Sequence, residues 1–409
     1  MFRYFIILHN TILQQFLNMP LNIAMHENNT PVGPLNYPNQ IIVFSHLRWD
    51  FVYQRPQHLL TRFAADFKIY FIEEPVNNDL AKAYYEITET ADNLIKLLPH
   101  LPNGLDAKES IALQKILLDD FMRNKQVDDF AFWYYTPMAL EFSRHLQPSV
   151  VIFDCMDELS AFKFAPVKLK ELEQELLNKA DVVFTGGNSL YEAKKHQHSN
   201  IHPFPSSIEA EHFKKTRLAS TTAVSRQPTL GFYGVIDERF DIDLIKGIAD
   251  ARPEWKVVLV GPVVKIDPAT LPQNSNIVYA GPKNYKELPL CMAEWDIALI
   301  PFLLNESTKF ISPTKTPEYL AAGLPVISTQ IADVVKPYGV NKLVHIGHNA
   351  SDFVAAAELE LNRSTEQKKK WLAQTDAFLA LNSWDKTYQQ MLLHIKDVVV
   401  SRLETPLAQ

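Results

Sequence analysis

Lys315 and Glu318 stand three residues apart in SPTKTPEYLAAGLPVIST (312–329), a spacing that puts both side chains on one face of a helix. A lysine at a helix start, among free backbone N–H groups, suits an anion such as a diphosphate. A glutamate one turn on can accept hydrogen bonds from a diol, as carboxylates do with ribose hydroxyls. Together they read as a clamp for the two halves of a nucleoside diphosphate, with Ser312 and Thr314 in the same set. The alternative is a surface ion pair on an ordinary helix, and the local pattern does not choose between them. Ser312 reads as the N-cap, Pro313 as the first helical residue and Gly323 as the stop.

Other loops carry further candidates. In YGVIDERFDID (233–243), Arg239 precedes a helix and can reach a pyrophosphate with both arms of its guanidinium. Asp241 and Asp243 are more simply an N-cap and a first-turn acid than metal ligands, and no metal site is expected. SHLRWDFVYQRPQHL (45–59) concentrates His46, Arg48, Trp49, Asp50 and Arg55. His46 or Asp50 can serve as general base, and Trp49 can stack on a sugar ring. The alternative is an Asp50–Arg55 ion pair with Trp49 as packing. Asp154 and Asp157 in FDCMDELSAF (153–162) follow an apolar run, and either can face a cleft; Asp154 joins the catalytic candidates. GPVVKID (261–267) and AGPKNY (280–285) leave strands through Gly-Pro. Gly261 and Gly281 allow close backbone approach to a ligand, and Gly281, Pro282 and Lys283 are placed beside a base, with plain turns as the alternative.

These residues need a scaffold, and the chain supplies one in apolar runs alternating with helical patterns. IIVFSH (41–46), KIYFIEE (68–74), FAFWYY (130–135), VVIFD (150–154) and DVVFTGG (181–187) read as strands, and 84–99 as an extended hairpin. Residues 204–229 show no sustained period and read as a linker. The rhythm restarts with LGFYGV (230–235), KVVLVG (256–261), NIVYAG (276–281), DIALIPF (296–302) and PVIST (325–329), then two long helical segments. The expected architecture is α/β: two Rossmann-like doubly wound domains facing across a cleft. The divisions are an N-terminal extension 1–38, a first domain 39–205, a linker 206–228, a second domain 229–380 and a C-terminal helix 381–409. In such sheets ligands sit beyond the carboxyl ends of the strands, where every loop singled out above begins.

Bulk properties narrow the function. With 40 basic and 47 acidic residues the net charge is −7, which argues against a general nucleic-acid binder. Two cysteines without metal spacing fit a reducing, cytoplasmic compartment. The N-terminal stretch is too polar to span a bilayer and has no clear cleavage site, but contact with the inner face of a membrane is within its means. No P-loop, dinucleotide fingerprint or nucleophile elbow is present, so no bound cofactor is expected.

EYLAAGLPVI (318–327) matches E-x-x-A-x-G-x-P-V-[IV], and the chain resembles the GT-B glycosyltransferases, specifically GT4-type bacterial enzymes of the teichuronic acid group. RWDFVYQRPQHLLTRFA, FDCMDELSAF and GFYGVIDERFDIDLI are similar to that group's other segments, and NSWDKTYQQML (382–392) to its closing helix, which crosses back to the first domain. The resemblance implies transfer of a sugar from a nucleoside-diphosphate-sugar to a surface polysaccharide or lipid-linked saccharide, with retention. It implies that Glu318 binds the ribose, that Lys315 and Arg239 neutralise the diphosphate, and that Arg48, Trp49 and Arg55 line the acceptor side. One departure stands out: the family has a second glutamate eight residues earlier, and here that position is Phe310. Asn305, Glu306 or Thr308 would then face the transferred sugar. Phe310 also motivates one alternative, a non-catalytic partner that binds nucleotide or glycan, and a nucleotide-sugar epimerase on the same fold is another.

Overall fold

In the computed structural model, residues 38–219 and 227–404 are described, with side chains through residue 402. The expectations for the N-terminal extension fall almost entirely outside them. Nine described strands form the first sheet: β1 (Gln40–Phe44), β2 (Lys68–Ile72), β3 (Val76–Asn78), β4 (Tyr84–Ala91), β5 (Leu94–Pro102), β6 (Phe130–Tyr134), β7 (Val150–Cys155), β8 (Val182–Thr185) and β9 (Ile201–Pro203). Their order is β3-β5-β2-β1-β6-β7-β8-β9, with β4 antiparallel on β5 and the other pairs parallel. Six more, β10 (Thr229–Tyr233), β11 (Lys256–Val260), β12 (Ile277–Gly281), β13 (Ile297–Ile300), β14 (Val326–Ser328) and β15 (Val344–Ile346), form a parallel sheet ordered β12-β11-β10-β13-β14-β15. Strands β1 and β10 each begin a run that winds first one way and then the other. The order therefore reverses between β1 and β6, and again between β10 and β13, leaving a crevice at each carboxyl edge.

The apolar runs explain the parallel sheets. Ile42, Val43, Phe132, Trp133 and Ile152 in the first domain, and Leu230, Phe232, Val257, Ile297 and Leu299 in the second, are fully buried because helices cover both faces. Strands β3, β9 and β15, of three residues each, are too short to announce themselves by pattern. Gly323 ends the helix Lys315–Ala321 as expected, at φ +82°, with the Leu324 N–H reaching back to the Tyr319 carbonyl at 3.0 Å.

The linker expectation is corrected in part. Within it the helix Ala210–Ala219 buries Phe213 and Thr216 against the second domain, and Arg217 grips Asp376 with both arms at 2.7 and 2.9 Å. Two buried side chains three residues apart are too few to show as periodicity. The helix Trp384–Glu404 does cross back. Trp384, Met391, Ile395 and Val398 share one core with Ile41, Leu59 and Phe63 of the first domain. At the crossing, Glu209 accepts from Arg62 at 3.1 Å and from the Tyr285 hydroxyl at 3.0 Å, His58 stacks on Trp384, and Arg62 reaches Asp385 at 2.6 Å. A second fastening lies nearer the cleft, where Asp333 of the second domain accepts the Ser189 N–H of the first at 2.9 Å and Ser206 donates to the Ser312 carbonyl at 2.6 Å.

Candidate active site

The helix Lys315–Ala321 brings Lys315 and Glu318 to the carboxyl edge of β10, and the surface ion-pair alternative fails. The Lys315 Nζ lies over the rings of Phe232 and Phe302, 5.8 Å from each centroid. It has no ion-pair partner within 4.0 Å among the described residues. Burial lowers its ammonium to about 8; Glu318 pulls it up and Arg239 pushes it down. Glu318 is 5% exposed, and its carboxylate accepts from the Tyr233 hydroxyl. Burial raises its carboxyl to about 7, with Tyr233 and Lys315 opposing. Gly234, at φ +141°, makes the room: a Cβ there would lie 2.2 Å from the lysine Cε and 2.8 Å from Nζ. The Tyr319 hydroxyl accepts the Tyr233 N–H at 2.9 Å and ties the helix to the strand.

Arg239 comes close enough to Lys315 to depress it, so the two expected cations share one site. Its guanidinium forks onto Asp237 at 2.6–3.1 Å and lies 5.4 Å from the ring centre of Phe162, a first-domain residue. Lys265 of the second domain lies over the same ring at 5.8 Å. Across the cleft stands Asp157, whose carboxyl burial raises and Arg239 lowers. His46 faces the same opening. Burial lowers its imidazole to about 4, against a hydrogen bond with the Tyr135 backbone, and Lys265 adds to the lowering. Its Nδ1 is shielded and unpartnered. A neutral imidazole, three carboxyl groups (Asp157, Asp237 and Glu318) and three cations (Lys315, Arg239 and Lys265) thus converge from two domains on one crevice.

Several expected site residues do other work. Asp154 is fully buried and takes both arms of Arg55, at 2.8–3.1 Å, while Arg55 also donates to the Phe204 carbonyl at 2.7 Å. Both are spent inside the first domain, so the catalytic role of Asp154 and the acceptor role of Arg55 are corrected; the cleft-facing carboxylate is three residues on, at Asp157. Trp49, 8% exposed, packs edge-on to Phe71, 5.1 Å between centroids, and is core rather than a sugar platform. Arg48 reaches Glu73 at 3.1 Å, and Asp50 turns outward to Lys96. Ser312 is not the N-cap: the helix begins three residues later, and its Oγ accepts the Ser206 N–H at 3.3 Å. Thr308 is buried and donates to the Leu303 carbonyl, Asn305 accepts the Thr308 N–H at 3.2 Å, and Glu306 points outward to Lys309 at 3.6 Å, so these three shape a turn. Phe310 packs against the first-domain core across the domain boundary. Gly261 backs onto the Gly234 carbonyl rather than a ligand site. Of the loop after β12, Gly281 has open space around it, and Pro282 and Lys283 are exposed, with Lys283 4.0 Å from Glu287. Asp241 caps its helix, accepting the Leu244 N–H at 2.9 Å.

Residue patterns alone missed Tyr233, Gly234, Asp237, Lys265, Phe162 and Tyr285. Gly234 had a signal, a glycine one residue beyond a strand whose loop also holds Arg239. Tyr285, which feels the charge of Glu318 and donates to Glu209, had none, because its partners lie 33 and 76 positions away.

With this geometry in view, the comparisons are consistent. Residues 227–362 match a family model described as glycosyl transferases group 1. A curated relative, the putative teichuronic acid biosynthesis glycosyltransferase TuaH of Bacillus subtilis, is 26% identical over 282 residues, 64% of this chain and 70% of that protein. Similar solved structures include sucrose-phosphate synthase from Thermosynechococcus elongatus (TM-score 0.66, 12% identity, covering 89% of this chain and 100% of that one). HepE from Anabaena in complex with UDP is another (0.61, 11%, 88% and 100%). At these identities the structures speak for the fold alone, two Rossmann-like domains in the GT-B arrangement. Residues 227–362 are thus a group 1 glycosyl transferase domain, and the chain as a whole has the GT-B fold.

Proposed function

We propose that this chain transfers a hexosyl group from a nucleoside-diphosphate-sugar to a saccharide of the cell surface, free or lipid-linked, without a metal ion and with retention. The observation that carries the reading is the half-buried Lys315, without an ion-pair partner within 4.0 Å among the described residues, beside the buried Glu318. A cation set over aromatic rings with no carboxylate in direct contact, Glu318 and Asp237 acting on it only at a distance, is complementary to an anion supplied from outside. As the glycosidic bond breaks, negative charge grows on the leaving diphosphate, and Lys315 and Arg239 stabilise it. Glu318 takes the ribose hydroxyls. On the acceptor side, neutral His46 and Asp157 are the groups able to accept the acceptor proton. Phe310 widens the apolar contact between domains where the resemblance leads one to expect an acid. The solved HepE contains UDP, so uridine diphosphate is the first nucleotide to test.

The test is a thermal-shift panel of nucleoside diphosphates on the parent chain and on Glu318→Ala. At least one nucleotide should raise Tm in the parent, and the shift should shrink in the variant. If no nucleoside diphosphate raises Tm, or if both proteins respond alike, the donor site has been misplaced. Release of nucleoside diphosphate in the presence of acceptor extract then measures transfer.

A further inference from the structure

We propose that the loop from Phe162 to Lys170 docks the protein on an anionic lipid surface. At its tip Phe164 is 70% and Val167 100% exposed, the two most solvent-facing large apolar groups of the first domain. The segment KFAPVKLK (163–170) holds three lysines and no acid in a chain whose net charge is −7. Lys163 and Lys170 form no ion pair within 4.0 Å among the described residues, although Lys170 acts electrostatically on Glu158; Lys168 is tied to Glu141 at 3.0 Å. The tip is ordered by its own turns: the Ala165 N–H donates to the Phe162 carbonyl and the Leu169 N–H to the Pro166 carbonyl, both at 3.0 Å. Leu169 anchors the segment in the core.

A convex tip with two projecting apolar side chains flanked by ammonium groups is what an interfacial insertion needs. The apolar groups enter the acyl boundary and the lysines meet phosphate headgroups. It is a poor protein interface, since a stable one takes about 800 Å² from each partner and two side chains offer a fraction of that. The other end of the loop is Phe162, which lies under Arg239 and Lys265 in the cleft. Val167 is five positions along the chain from Phe162, so the cleft opens within about 17 Å of the bilayer surface. An acceptor carried on a lipid would be presented there. That last step rests on the transferase reading, whereas the docking does not.

The experiment is co-sedimentation of the full chain with vesicles of phosphatidylcholine alone and of equimolar phosphatidylcholine and phosphatidylglycerol. We expect partitioning onto the anionic vesicles, weakened by salt. The double variant Phe164→Ser, Val167→Ser should lose about tenfold, and Lys163→Ala with Lys170→Ala about 25-fold, at roughly fivefold for each lysine. Phe164→Trp reads the depth directly: its emission should shift blue on vesicles and be quenched by brominated acyl chains beyond the parent's background. Equal partitioning of parent and double variant, absence of parent binding, or vesicle-bound Phe164→Trp without added quenching would each overturn the proposal. A thermal unfolding midpoint equal to the parent's, without ligand, confirms that the variants are folded. Vesicle binding that persists in a chain blind to every nucleoside diphosphate would sink the transferase reading and leave the docking standing.

Discussion

Replacing Lys315 by methionine should make the free protein more stable and the nucleotide complex weaker. Methionine keeps the length and apolar volume of the lysine stem but carries no charge. The ammonium is lowered from 10.5 to about 8, chiefly by burial. At about 1.36 kcal/mol for each tenfold, holding the charge in the free site costs about 3 kcal/mol. Lys315 is only half-buried, and Phe232 and Phe302 return part of the cost through their ring faces, so about 2 kcal/mol is the net expectation. The sign follows from linkage. A depressed lysine penalises the folded state fully below about 8, and the penalty fades as pH climbs toward 10.5. Lys315→Met should therefore unfold a few degrees above the parent at pH 7, with the gap closing toward pH 10. Its affinity for a nucleoside diphosphate should drop by about 10- to 100-fold, the worth of a charge-assisted hydrogen bond to phosphate. Chemical denaturation across pH and calorimetric titration measure the two effects. A variant that is less stable than the parent and binds nucleotide equally well would show that Lys315 is there for packing, and the reasoning would fail.

Three further outcomes are expected. Nucleotide affinity should peak between about pH 7 and 8, falling below as Glu318 takes a proton and above as Lys315 loses one, with both limbs belonging to the pair and both absent from Lys315→Met, Glu318→Gln; a flat titration refutes it. Asp154→Asn should destabilise the protein by about 3–5 kcal/mol in urea, because Arg55 would keep its charge in the core without a counter-ion, whereas a catalytic loss at full stability would return Asp154 to the site. Glu209 is held down to about 2 by His58, then by Tyr285 and Arg62, so its contribution is present above 4.5 and is lost as pH falls toward 2; Glu209→Gln should flatten that acid limb by about 1–2 kcal/mol after allowance for its partial exposure, read by acid denaturation.

The fold was legible where burial on both faces forced long apolar runs. Ile41–Phe44, Phe130–Tyr134 and Ile297–Ile300 could hardly be anything but inner parallel strands, and their spacing implied two sheets. The Lys315–Glu318 pair was legible because the two residues share one helix turn between a strand end and Gly323. What the sequence could not show is which charged residues spend their charge on one another. Arg55 and Asp154 are 99 positions apart, and each looks like a site residue until their pairing is seen. Trp49 misled for a related reason: an aromatic in a strand-exit loop can point out or in, and only Phe71 decides it. Lys265 and Phe162 meet across domains, so no local window contains both.

The last helix has a consequence for how the molecule is made. Trp384, Met391, Ile395 and Val398 complete the hydrophobic core that begins with Ile41 and Val43. During synthesis the first domain must wait for residues 384–399 before its apolar face is covered. From residue 204 to residue 384 the ribosome needs roughly 10–40 s at about 5–20 residues per second. The second domain, contiguous from β10 through the helix Thr365–Leu379, can close its own core in that interval. The order of completion is then the reverse of the order along the chain: the second domain closes its core first, and the first keeps an apolar face uncovered until the helix Trp384–Glu404 arrives.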